Sequence, residues 1–206
     1  MARPNVVRTD MAPKTDSELV DAARSGDLHA FGVLVQRYRR RIFRIAVHLL
    51  KDAAEAEDVT QETFVRAYGA LDRFDGRSQP FTWMYRIAVN LSLNVIRSRK
   101  NRRPTTVDDP RVEGFLVQTP SSGTDPGSVV ADRQMAVVLC EGLDTLSDTL
   151  RTTLVLTTVD GLSHAQAAEV LGCPEGTVAW RVHEARRKLR EFMAGRGYGD
   201  ILGGEV

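Results

Sequence analysis

The stretch GLSHAQAAEVLGCPEGTVAWRVHEARRKL, residues 161–189, reads as two helices joined by a tight turn. Ser163 followed by Gln166 is a capping box, in which each side chain satisfies a backbone N–H at a helix start. The first helix is short and stops near Gly172, where a turn with positive φ is best served by a residue without a Cβ. Pro174 suits the start of the second helix, because its missing N–H would have no partner there. In that helix Val178, Val182, Ala185 and Leu189 fall at i, i+4, i+7 and i+11, one apolar stripe. Ala167 and Ala168 are small enough to let the second helix cross the first closely. The opposite arc carries Trp180, His183, Glu184 and Arg187, flanked by Ala179, Arg181 and Arg186. An apolar back with an arginine-rich front fits a DNA major groove, and arginine grips guanine edges and phosphates. A helical hairpin with a merely basic surface has the same pattern, so the segment alone leaves both readings open. His183 reads as solvent-facing and Cys173 as turn packing.

Outward from this segment the helical period continues. Thr15 with Glu18 forms another capping box over TDSELVDAARSGD (15–27), and Asp27 caps the next helix. There Leu34, Tyr38, Ile42, Ile45 and Leu49 recur at threes and fours. DAAEAEDVTQETFVRAYGAL (52–71) has an apolar side of Val59, Phe64, Val65 and Tyr68, with its acids crowded where the helix dipole favours them. Gly76 and Pro80 break the pattern into a loop. The following helix carries a stripe of Trp83, Met84, Ile87, Ala88, Leu91 and Val95, with Arg86, Asn90 and Arg97 opposite. From Pro104 to Gly127 four prolines and the run SSG stop the periodicity, and 24 residues without a pattern argue for two domains. Helical signals resume at 128–146 and 147–161; RTTLVLTTV within the latter is rich in β-branched residues and also compatible with a strand. The expected fold is all-α: two small helical domains joined by a flexible linker. Its parts are a disordered tail at 1–14, domains at 15–103 and 128–194, the linker at 104–127 and a flexible tail at 195–206.

Composition narrows the function. The 206 residues are 42% hydrophobic, enough for packed cores, and the net charge of +1 gives no global argument for nucleic acid. The charge is segregated, however. Five acids and no base lie between Asp52 and Glu62, and six bases and no acid between Arg86 and Arg103. This suggests two contact surfaces, although solvated helix faces give the same runs. Cys140 and Cys173 have no CxxC or Cys/His cluster around them, so no metal site is expected. No P-loop, triad or acid/base pair is present, so no catalytic residues, cofactor or enzymatic activity are expected. The N-terminus lacks a signal-peptide core and no apolar run spans a bilayer, which points to a cytoplasmic protein without direct membrane insertion.

Two distant segments carry a resemblance. AEDVTQETFVRAYGALDRFDGRSQPFTWMYRIAVNLSLNVIRSRKNRRP (56–104) looks like region 2 of an extracytoplasmic-function (ECF) sigma factor of the sigma-70 family. LDTLSDTLRTTLVLTTVDGLSHAQAAEVLGCPEGTVAWRVHEARRKL (143–189) is similar to region 4 of the same family. The resemblance implies an initiation factor that binds RNA polymerase core, reads −35 and −10 promoter elements and promotes DNA melting. Core binding, to the β and β′ subunits, would use Asp58, Gln61 and Glu62, with Arg37 and Tyr38 shaping the surface. Capture of a flipped −10 base would use the loop with Phe74, Gly76, Arg77 and Ser78, facing Arg86, Asn90 and Arg97. Arg99, Lys100, Arg102 and Arg103 would hold phosphates. Trp83 could stack on a base or pack in the core. The −35 element would meet Thr177, Ala179, Trp180, Arg181, His183, Arg186 and Arg187. The family usually has a basic residue and a serine where this chain has Ala179 and Trp180, and often proline at Ser147. Its members are also usually held by an anti-sigma factor clamping both domains. The acidic linker could mimic RNA in the polymerase or simply keep the chain soluble. The alternative is a helix-turn-helix DNA-binding regulator that does not engage core polymerase.

Overall fold

Caps set the helix boundaries. The computed structural model describes residues 14–102 and 126–198, with side chains at 14–101 and 134–198. The expected tails (1–14 and 195–206) and the linker (104–127) lie outside these residues, apart from 14, 126–127 and 195–198. Helix α1 (Asp16–Arg24) starts at the Thr15–Glu18 capping box, and α2 (Leu28–Leu50) at Asp27, whose carboxylate accepts from the His29 and Ala30 amides. Lys51, with φ 57°, ends α2 in the left-handed region, and Asp52 at once caps α3 (Ala53–Gly69). A 3-10 turn (Leu71–Arg73) and a loop lead to α4 (Pro80–Arg102). In the second domain α5 (Pro126–Thr145) begins at a proline that the sequence pattern assigns to the linker. Ser147 caps α6 (Asp148–Leu154), accepting from the Leu150 amide. The Ser163–Gln166 box opens α7 (His164–Leu171), and Pro174 stands at the N-cap of α8 (Glu175–Gly195).

The β-branched run after Leu154 is helical, but its helix widens into a π turn (Val155–Val159). The Thr153 and Thr157 hydroxyls bond back to carbonyls one turn earlier, which weakens the regular ladder. The Asp160 amide then reaches the carbonyl five residues back, at Val155 (3.1 Å).

In the first domain α2 is the central post, packed by α1, α3 and α4. Its expected stripe of Leu34, Tyr38, Ile42, Ile45 and Leu49 is buried. On α3 the buried face is Ala56, Val59, Thr60, Thr63, Phe64 and Ala67, whereas Val65 and Tyr68 are exposed. The periodicity misplaced this face because two threonines occupy it. Their hydroxyls bond to the Ala56 and Val59 carbonyls (2.7 and 2.6 Å), so they enter the core without an unpaired polar group. In the second domain α8 packs on α6, α7 and α5, with Val178, Val182, Ala185, Leu189 and Met193 buried.

The two domains also dock on each other. Helix α7 lies against α4, and the π turn against α2. Arg44 of α2 reaches Asp160 with Nε and Nη2 (3.0 and 2.9 Å). Lys51 pairs with Asp144, and Lys100 of α4 with Asp148 (2.6 Å). In each pair the base belongs to the first domain and the acid to the second.

Candidate core-binding and nucleic-acid interfaces

Burying one face of α3 presents Asp58, Gln61, Glu62 and Val65 to solvent along the other. Glu62 is partly neutralised by Arg66 (2.7 Å), and Glu57 by Arg39 (2.6 Å). The Arg39 and Gln61 hydrogen bonds hold the Glu57 carboxyl below its ordinary range. Asp58 is exposed and makes no ion pair among the described residues. Gln36, Arg39, Arg40, Phe43 and Glu57 line an open cavity of about 470 Å³ beside this face. Arg37 and Tyr38 have a different setting from the one expected of them. Both bond to Asp16 at the start of α1, and the Tyr38 ring is buried 5.1 Å from that of Phe81. Burial above all, with Asp16 beside it, pushes the Tyr38 hydroxyl up to about 12. These two residues fasten α1 to α2, on the other side of the same turn from Arg39, which pairs with Glu57 of α3.

The loop before α4 is pinned from behind. Arg24 donates to the carbonyls of Leu71 (3.3 Å) and Phe74 (2.6 Å). Phe74 is buried, its ring 4.9 Å from that of Trp83, so it anchors the loop and offers no exposed contact surface for a base. Trp83 is half-buried against the same core. Gly76, with φ 72°, and Arg77 project into solvent, and Ser78 is half-buried. Asp75 Oδ1 accepts from the Arg77 amide (3.1 Å) and shapes the turn. On α4, Arg86, Asn90, Asn94 and Arg97 are exposed at i, i+4, i+8 and i+11, one polar stripe continuous with the loop. Asn94 was not singled out from sequence; the same spacing finds it. Arg99 is committed elsewhere, pairing with Glu55 and donating to the Leu50 carbonyl (2.9 Å). Lys100 is held by Asp148. Two residues after Arg97, Arg99 falls on the far side of the helix from the stripe, whereas Lys100, three residues after it, stays near the stripe's edge. The side chains of Arg102 and Arg103 lie outside the described residues.

In the helix-turn-helix, Gly172 adopts the left-handed conformation (φ 63°) and returns its N–H to the end of α7. A Cβ there would stand 3.4 Å from the Arg86 guanidinium, so the turn also touches the α4 stripe. Ala167 and Ala168 are buried at the helix crossing. On the outer arc of α8, Ala179, Trp180, His183, Arg186 and Arg187 are exposed, and Thr177, Arg181 and Glu184 half-buried. Arg187 is clamped by Glu184 (2.8 Å through both Nε and Nη2) and by Glu191; these partners raise its pKa. Arg181 lies back over the turn, 3.6 Å from Cys173 Sγ. Arg186 and Arg190 make no ion pair among the described residues.

No cluster of potential metal ligands occurs among the described residues, and none of their helices is long and apolar enough to cross a membrane. The family described as Sigma-70 region 2 matches residues 34–102, and that described as Sigma-70, region 4 matches 137–189. The RNA polymerase sigma-H factor of Pseudomonas aeruginosa is 34% identical, covering 89% of this chain and 96% of that protein. The ECF RNA polymerase sigma factor SigW of Bacillus subtilis is 33% identical, covering 84% of this chain and 94% of that protein. Among solved structures, CnrH in complex with the cytosolic domain of CnrY superposes with a TM-score of 0.65 at 28% identity, covering 88% of this chain and 99% of that one. The sigma factor RpoE from Bartonella quintana, in complex with the anti-sigma factor NepR, shares the fold at 22% identity (TM-score 0.59), covering 80% of this chain and 96% of that one. The chain belongs to the sigma-70 family, within its ECF group: it is a promoter-recognition sigma factor that binds RNA polymerase.

Proposed function

We propose that the three solvent faces divide the work of initiation. The α3 face, with Asp58, Gln61 and Glu62, docks on a basic surface of the polymerase core, where complementary charge favours fast, oriented association. The loop around Gly76, Arg77 and Ser78, together with Arg86, Asn90 and Arg97, holds the unpaired −10 strand. The Asn90 amide can donate to and accept from a base edge, and the arginines can meet phosphates. Unstacking a base costs a few kcal/mol, so melting is driven by contacts available only to the flipped base. The outer arc of α8 reads the −35 element from the major groove. The chain forms no covalent bond in this scheme; it couples one binding event to another.

The observation that carries this reading is the single polar stripe of α4, continuous with an exposed loop and separated from the acidic α3 face by the buried core. A direct test reverses charge at the α3 face, Asp58→Lys with Glu62→Lys. Loss of binding to purified core, with −35 duplex binding retained, supports the division of labour. Unchanged core binding refutes it. An anti-sigma protein is the natural regulator, as in the solved complexes of relatives. Masking of the α3 and α8 faces by one clamp would remove both activities at once.

A further inference from the structure

We propose that Trp180 makes this sigma factor select thymine in its −35 element through the 5-methyl group. This rests on α8 being the −35 reader. Trp180 is 62% exposed, an indole on the arc opposite the buried stripe of α8. It sits in the second turn of α8, within the N-terminal part that a helix-turn-helix presents to base edges. Its neighbour Ala179 offers only a methyl group. Of the hydrogen-bonding groups around it, Arg187 is engaged by Glu184 and Glu191 and Arg181 rests at Cys173, while Thr177 and His183 border it one turn to either side. Arg186, Arg190 and His183 remain exposed along one flank, placed to hold phosphates on that side. Trp180 and Ala179 therefore place an apolar patch in the middle of the reading face. In the major groove the apolar feature that separates one base from the others is the thymine methyl.

The test uses the full chain bound to core polymerase and promoter duplexes whose −35 thymines are replaced one at a time by deoxyuridine, which removes only the methyl. One replacement is expected to weaken wild-type binding about fourfold, the worth of burying one methyl carbon. In Trp180→Ala the same replacement is expected to have no effect, and Trp180→Phe should keep part of it. Deoxyuridine neutral at every position in the wild type, or an effect that persists in Trp180→Ala, overturns the thymine proposal alone. Binding indifferent to any change of the −35 bases overturns the −35 reading as well.

Discussion

Asp160 is the most informative residue at the contact between the two domains, and its removal should open them. Its side chain is 0% exposed, and it accepts both Arg44 hydrogen bonds on Oδ1 while Oδ2 has no partner among the described residues. Tyr85, fully buried in α4, is packed close enough that burial first, and then Asp160, raises its hydroxyl pKa. Asp160→Ala removes both charged hydrogen bonds. Arg44 is 47% exposed and can turn to water, so the cost is not the ~3–5 kcal/mol of a stranded buried charge. It should be nearer ~1–3 kcal/mol, the range for losing buried hydrogen bonds to a charged group. The effect should couple to Arg44: a double-mutant cycle is expected to give ~0.5–3 kcal/mol of interaction. Solution scattering reads the consequence. A chain of this length packed as one body has a radius of gyration near ~17 Å; the variant should be larger and should unfold in two transitions in urea. The docking also bears on promoter binding. Elements named −35 and −10 lie about 25 base pairs apart, ~85 Å of B-DNA at ~3.4 Å per pair. Docked domains cannot reach both, so the promoter-bound chain should be open. An Asp160→Ala protein with unchanged dimensions and one unfolding transition would refute this account of the contact.

Other expectations follow from particular contacts. At Gly32 an added Cβ would meet only open space, so Gly32→Ala should gain ~1 kcal/mol of helix propensity and raise the melting temperature. At Gly142 an added Cβ would stand 2.6 Å from Leu189 Cδ1 and 3.0 Å from Phe192 Cδ1, so Gly142→Ala should lose ~1–3 kcal/mol to overpacking and lower it; equal stabilisation by both would contradict the α5–α8 packing. Ser163→Ala removes half of a capping box and should cost ~1 kcal/mol in urea unfolding of the second domain. Burial lowers the His48 pKa below that of the unfolded chain, against the opposing pull of Asp160. The unfolded state therefore takes up its proton first as pH falls below about 6.5, and this contribution to stability is lost over that range. His48→Gln should flatten the stability profile there; an unchanged slope assigns it to other groups.

The capping residues and the periodic stripes of α2 and α8 were legible in sequence because each is a local rule: a side chain three residues from an amide, or an apolar residue every turn. The α3 face was misread because Thr60 and Thr63 count as polar until their hydroxyls are seen to bond within their own helix. Phe74 resembled a loop residue free to meet a base, but Trp83 and the Arg24 bond that fix it inward are distant in sequence. The bonds of Arg37 and Tyr38 to Asp16 had no local signature either, since Asp16 lies on another helix. The docking of the two domains on each other has no local signature at all. It depends on bases and acids more than 40 residues apart, and the proline-rich segment between them suggested independence instead.

In vitro transcription with purified polymerase core tests the central assignment most directly. Added to core and a set of promoter fragments from its own genome, the chain should bind core and direct RNA from fixed start sites, with output lost on mutation of either the −35 or the −10 element. Specific DNA binding with neither core binding nor start-site-specific RNA would contradict it and leave a helix-turn-helix regulator in its place.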